Sequence, residues 1–168
     1  MKQIDISTAF TKYIPYNFAF VLSCDKNNKP SGMIVAWHTK VSHEPPLMAV
    51  SIYNTQNTKK LIEQSKEFVL AVPNKKQLKA ISIFGENHGD KIDKFKLSKI
   101  KTTKAKFLKT PLLAEATLNY ECEVIKKIKA GDHTIFIGKV LSAHYNEKEK
   151  ILLCYGKGKN GKRIFKEL

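Results

Sequence analysis

The stretch SGMIVAWHTKVSHEPPLMAVSIY, residues 31–53, carries the only tryptophan of the chain, Trp37. MIVAW (33–37) is a continuous apolar run and predicts a strand buried on both faces. LMAVSIY (47–53) predicts a second strand. Between them SHEPP breaks the pattern, because proline cannot donate to a ladder and restricts the residue before it. The stretch therefore predicts two strands joined by a polar loop. His38, Thr39, Lys40, Ser42 and His43 crowd that loop. Two readings stand side by side: a plain hairpin of a basic protein, or the wall of a ligand site.

Moving outward, YNFAFVLSC (16–24) predicts a strand and DKNNKPSG (25–32) a turn. NTQNTKKLIEQSKEF predicts a short amphipathic helix with Asn57 or Thr58 as its cap. EFVLAVP (67–73) is a strand closed by proline. NKKQLKAISIFG (74–85) has Leu78, Ile81 and Phe84 at helical spacing and Gly85 as its end. A further short helix fits 90–95. A short strand, a break at Pro111 and a long alternating strand near 115–128 follow. After the Gly131-Asp132 turn a strand covers 133–145, and EKILLCYG supplies a last short one. The tail from about 156 is rich in glycine and lysine and reads as mobile, apart from Ile164, Phe165 and Leu168.

That makes about seven strands with a few short helices, joined mostly by tight turns. The fold class expected is mainly β (α+β), an antiparallel barrel with helices at its openings. The strand–helix alternation of a doubly wound sheet is absent.

The chain has 168 residues, 42% of them apolar and 27% charged, as in a globular protein. No apolar run reaches the roughly 20 residues that span a bilayer, and the start lacks a signal-peptide centre. The expectation is a cytoplasmic protein. Cys24, Cys122 and Cys154 lie far apart in apolar runs and read as reduced core residues. No metal-ligand spacing is present. The net charge is +15, yet Arg163 is the only arginine. A diffuse lysine field attracts anions such as nucleotides, but base readout favours arginine's planar fork. The near-absence of arginine therefore argues against dedicated nucleic-acid binding.

There is no dinucleotide glycine fingerprint, phosphate loop or nucleophile elbow. Three weaker features remain. The helix starting near Asn57-Thr58-Lys59-Lys60 has amides, a hydroxyl and lysines that suit a phosphate, or is an ordinary capped helix. His133 in GDHTIFIG (131–138) would contact a nucleotide, or is a turn histidine held by Asp132. Lys94 and Phe95 in GDKIDKF (89–95) would set a charge and a ring face against a planar ligand, or form a surface helix end.

In order and spacing these segments resemble the flavin reductase-like family of FMN-binding split β-barrels. The run is GMIVAWHTKVSHEPPLMAVSI, NTKKLIEQSKEFVLAVP, DKF, PLLAEATLNYECEV and GDHTIFIGKV, from about residue 15 to 145. The resemblance implies a single FMN-binding split-barrel domain over 1–168. It implies a homodimer, and an oxidoreductase passing hydride from NADH or NADPH through the flavin to a small acceptor. It puts Met33, Ile34, Val35, Ala36 and Trp37 along the flavin ring, with backbone groups of 35–37 at its polar edge. Ser51 and Ile52 would flank the ribityl chain, with Asn57, Thr58 and Lys59 at the phosphate. Lys94 and Phe95 would lie near the flavin, and His133, the candidate catalytic residue, would dock the pyridine nucleotide. Members often have Thr in place of Ile34, Asn in place of Ser31 and Arg in place of Gln56; Lys59 or Lys60 would supply the missing charge. A non-catalytic FMN-binding electron-transfer protein would share all of these features, and a basic nucleic-acid-binding barrel is the third reading.

Overall fold

A computed structural model describes residues 1–168. The chain runs through α1 (Ile6–Lys12), β1 (Tyr16–Asn17), β2 (Ala19–Cys24), β3 (Pro30–Val35), β4 (His38–Ser42) and β5 (Leu47–Tyr53). Then come α2 (Asn57–Ser65), β6 (Glu67–Val72), a 3₁₀ turn at Lys75–Gln77, α3 (Leu78–Glu86) and α4 (Lys94–Ser98). The second half holds β7 (Thr102–Thr103), β8 (Leu112–Leu113), β9 (Leu118–Ala130), β10 (His133–Tyr145), β11 (Leu152–Lys157) and β12 (Arg163–Glu167). No helix is long and apolar enough to cross a membrane.

Seven strands form one antiparallel sheet in the order β3-β2-β6-β9-β10-β5-β4. Its two end strands, β3 and β4, are consecutive in the chain, separated only by Ala36 and Trp37. The sheet therefore curls until its ends meet at that bend. The ladder does not close there, and the architecture is the expected split barrel. The opening stretch turns out differently in detail. MIVAW is not one strand buried on both faces: β3 stops at Val35, and Ala36 and Trp37 are exposed. The polar loop contains a strand, β4, paired with β5. No β4 residue is buried, only His38 and Ser42 are partly so, and four of its five side chains are polar, which hid it.

β2 and β6 are buried on both faces, and two cores meet across them. Ala19, Val21, Val35, Met48, Val50, Ile52, Phe68, Leu70, Cys122 and Phe136 fill the barrel interior, closed at one end by Ile62 of α2. Phe18, Phe20, Leu22, Val69 and Ala71 face outward under α3, whose Ala80, Ile81 and Phe84 cover them. Glu121 is wholly buried and accepts backbone N–H groups from Lys106, Phe107 and Leu108, at 2.9, 2.7 and 3.2 Å, tying the 104–111 loop down. All three cysteines are free and buried, as composition suggested.

Four boundaries need correction. The cap of α2 is Gln56, not Asn57 or Thr58, and no side chain caps it. α3 continues through Gly85 to Glu86. The helix expected at 90–95 is α4, four residues later, capped by Asp93. The basic tail forms β12, paired with β11, with Phe165 against Phe18 at 5.2 Å between ring centroids. Long-range pairing orders it, which glycine and lysine content cannot reveal.

Candidate functional site

β3 pairs with β2 along one edge, and its other edge has no ladder partner. At the bend one hydrogen bond, from Ser51 N to Trp37 O at 2.9 Å, ties it to β5. From there β5 diverges, and the chain turns at Tyr53–Gln56 into α2. A groove results. One wall is residues 31–37; the other is the end of β5 and the start of α2.

The α2 end of the groove holds a cavity of about 340 Å³. A Cβ built on Gly89 would fall 2.4 Å from Ser31 Oγ, 3.6 Å from Asn57 Nδ2 and 3.7 Å from Lys94 Cε. Polar side chains from β3, α2 and α4 thus converge on bare backbone. Asn57, Lys60 and Gln64 line the cavity from α2 at helical spacing. The uncapped helix start adds free N–H groups and the positive end of the helix dipole. Asp25, Asp90 and Asp93 also line the cavity. Two of these are engaged: Asp25 accepts from Asn27 N and Lys29 N, and Asp93 accepts from Lys96 N.

Lys94 is 3% exposed, and its Nζ donates to Gly32 O at 2.9 Å and Phe84 O at 3.0 Å. An ammonium has three N–H donors, so one is left. Burial pulls its pKa down to about 8, against the opposing pull of Asp90. The surface-helix reading of Lys94 is therefore wrong. Its pairing with Phe95 is also different from that expected: the ammonium sits 5.6 Å from the Phe84 ring centroid, and Phe95 packs edge-on against Phe84.

The bend end is aromatic. The His133 ring lies 4.6 Å from Trp37 and 5.2 Å from Tyr53, and Phe10 of α1 meets Trp37 at 6.4 Å. His133 Nδ1 donates to the Asp132 carboxylate at 2.6 Å, which leaves Nε2 for another partner. The turn reading of His133 is what the geometry shows: Asp132 orients it, and its ring sits beside Trp37 and Tyr53.

The candidate residues divide by face. Met33, Val35 and Ile52 turn their side chains to the barrel core, so only their backbone can reach a ligand. Ile34 packs on the outer core, and with Ala36 it lines a small apolar cavity on the α3 side. Ser51 is half-buried, and Thr58 is buried. Lys59 is paired with Glu63 at 2.9 Å, which also holds Lys127. Of the two adjacent α2 lysines, Lys60 lines the cavity and Lys59 does not. Gly89 and Gln64 were missed. The helical phase of Asn57, Lys60 and Gln64 was readable, but the approach of Gly89 was not.

The donor set fits a phosphate with an attached chain: the Ser31 hydroxyl, the Asn57 and Gln64 carboxamides, three lysines (Lys29, Lys60 and Lys94) and helix amides around a glycine. Comparison with known proteins agrees. Residues 11–162 match the model of the flavin reductase like domain. A protein of Archaeoglobus fulgidus is 34% identical over 122 residues, 73% of this chain and 69% of its own. A flavin reductase of Pseudomonas putida is 28% identical over 149 residues, 88% of this chain and 83% of its own. In structure, an FMN-binding protein from Thermus thermophilus superposes with a TM-score of 0.84 at 24% identity, over 99% of this chain and 94% of that one. The chain belongs to the flavin reductase-like, FMN-binding family.

Proposed function

We propose that the groove between β3 and β5 holds FMN, and that the chain is a cytoplasmic NAD(P)H-dependent flavin reductase-like oxidoreductase acting on a small acceptor. The convergence of Ser31, Asn57 and Lys94 on Gly89 carries this reading. Ser31, Asn57, Lys60 and Lys94 would hold the phosphate. Ser51 and the backbone at Ile52 would flank the ribityl chain. The unpaired edge of β3, with the backbone of Val35, Ala36 and Trp37, would meet the polar rim of the ring. When bound, FMN would accept hydride from a reduced nicotinamide and release it to a second acceptor.

The chain's own work is to bind, orient and exclude water. Trp37 and Tyr53 form an apolar wall. His133, fixed by Asp132, directs Nε2 toward an incoming pyridine nucleotide. The excess positive charge raises the local concentration of anionic nucleotides. A homodimer is part of the proposal. Ile125, Ile128, Val41, Trp37 and Tyr53 are exposed apolar side chains on β4, β5, the bend and the β9–β10 hairpin, and a second copy would cover them.

The test is FMN titration followed by rapid mixing with NADH or NADPH. Saturable uptake and flavin bleaching faster than for free flavin are expected. Uptake without faster bleaching would assign a non-catalytic electron-transfer role. No uptake would sink the reading.

A further inference from the structure

On the far side of β3 from the barrel, a cavity of about 90 Å³ is lined mainly by apolar side chains, among them Ile34, Ile81 and Phe165. Its polar groups are few: Tyr16, Cys154 and Arg163. Through Ile81, Gly85, Arg163 and Phe165 it is continuous with a wider groove of about 610 Å³ that also carries Lys157 and Lys162. A small, mainly apolar pocket at the foot of a basic mouth suits a molecule with a flat apolar body and an anionic end.

The polar groups are arranged for a carboxylate. Arg163 is the only arginine in a chain otherwise charged by lysine, and it sits at this cavity. Its planar fork matches a carboxylate bidentately, which a lysine cannot do. Beside it, the Tyr16 oxygen accepts from Cys154 Sγ at 3.1 Å. The Tyr16 O–H is then free to donate to a second group. Burial and Cys154 push the Tyr16 pKa up to about 12, so it remains a donor at neutral pH. Gly85 keeps the floor open without being strictly required, since an added Cβ would lie 3.5 Å from Arg163 Nη1 and 3.9 Å from Ile34.

We propose that this cavity is a binding site for small aromatic carboxylates, with the ring against Ile34, Ile81 and Phe165 and the carboxylate on Arg163 and the Tyr16 hydroxyl. As a binding site it stands on its own geometry. As the subsite of an acceptor substrate it rests on the flavin reading, because Ile34 and Ala36 connect it to the strand that would carry the ring.

Benzoate and its neutral analogue benzyl alcohol are the probes, with binding followed by ligand-observed NMR on the full chain, with and without FMN. Benzoate should bind more tightly than benzyl alcohol. Arg163→Gln should weaken benzoate roughly tenfold or more, as expected for loss of a charge-assisted hydrogen bond, and Tyr16→Phe roughly threefold to tenfold. Benzyl alcohol should be insensitive to Arg163→Gln, and FMN uptake should be unchanged in that variant. Arg163 is exposed enough for the variant to fold, and its thermal unfolding checks this. Arg163-dependent benzoate binding without FMN uptake would support this site and overturn only the flavin reading. Benzoate binding that ignores Arg163, or no binding in the wild type, would overturn the site.

Discussion

β2 and β3 are neighbouring strands of six residues each, paired from Ala19 and Val35 to Cys24 and Pro30. Every residue of β2 is buried, whereas in β3 only Gly32 and Val35 are. β2 is apolar but for Ser23, whereas β3 begins with proline, serine and glycine, and their surroundings differ as well. β2 lies between β3 and β6 with a core on each face. β3 ends the sheet: it reaches the barrel core through Val35 and the outer core through Ile34, but one of its edges is unpaired. Stability is concentrated in β2, and binding capacity in the strand beside it. Backbone polar groups on an unpaired edge must find partners elsewhere. Lys94 supplies one by bonding Gly32 O, and the proposed ligand supplies others.

The largest expected difference is in stability. Phe20→Ala, at a wholly buried ring, should destabilise by about 3–5 kcal/mol, and Ile34→Ala, half-buried on β3, by about 1–2 kcal/mol. Urea unfolding of both variants checks this; equal losses would erase the distinction between the strands.

Two glycines sharpen the same contrast. A Cβ on Gly138 would fall 2.6 Å from the Phe68 ring and 2.8 Å from Cys122 Cβ inside the barrel. Gly138→Ala should therefore destabilise by about 1–3 kcal/mol. Gly89→Ala meets a movable Ser31 hydroxyl instead, so folding should survive. Its FMN affinity should fall roughly tenfold, with riboflavin affinity little changed, because only the phosphate end is filled. Calorimetry of both variants separates the outcomes.

The third test is pH. Lys94 loses its proton near pH 8 in the folded chain, well below the ordinary lysine value. FMN affinity should fall as pH rises through about 8, and Lys94→Met should flatten the profile. Stability should respond in the opposite sense. Between about pH 8 and the ordinary lysine value the unfolded chain holds the extra proton, so this group makes stability rise with pH. Fluorescence titrations and unfolding curves at a series of pH values read both trends.

The smallest effect is expected at the bend. His133→Ala should lower kcat/KM for the reduced pyridine nucleotide about fivefold, a loss of about 1 kcal/mol in transition-state binding. FMN affinity should stay within about twofold, since His133 stands beside Trp37 and not at the phosphate cavity.

How much of this was legible follows the same contrast. β10 begins at His133 and ends at Tyr145, as its pattern indicated, because alternation and a Gly-Asp turn are local signals. β6 ends before Pro73 for an equally local reason. β4 was hidden because an edge strand with mostly exposed side chains has a loop's composition. β12 was hidden because its order comes from pairing across the sheet with β11. At the site, the choice of Lys60 over Lys59 was open to helical phase. The meeting of Ser31, Asn57, Gly89 and Lys94 was not, because tertiary packing alone brings those distant segments together.

The central claim is that the unpaired edge of β3 and the Gly89 cavity form one FMN site. Titrating the purified chain with FMN and with riboflavin, and following flavin fluorescence, tests it most directly. The account predicts saturable quenching by FMN, stoichiometric with the chain, and clearly weaker binding of riboflavin. Equal affinity for the two flavins, or no saturable change with either, would contradict it.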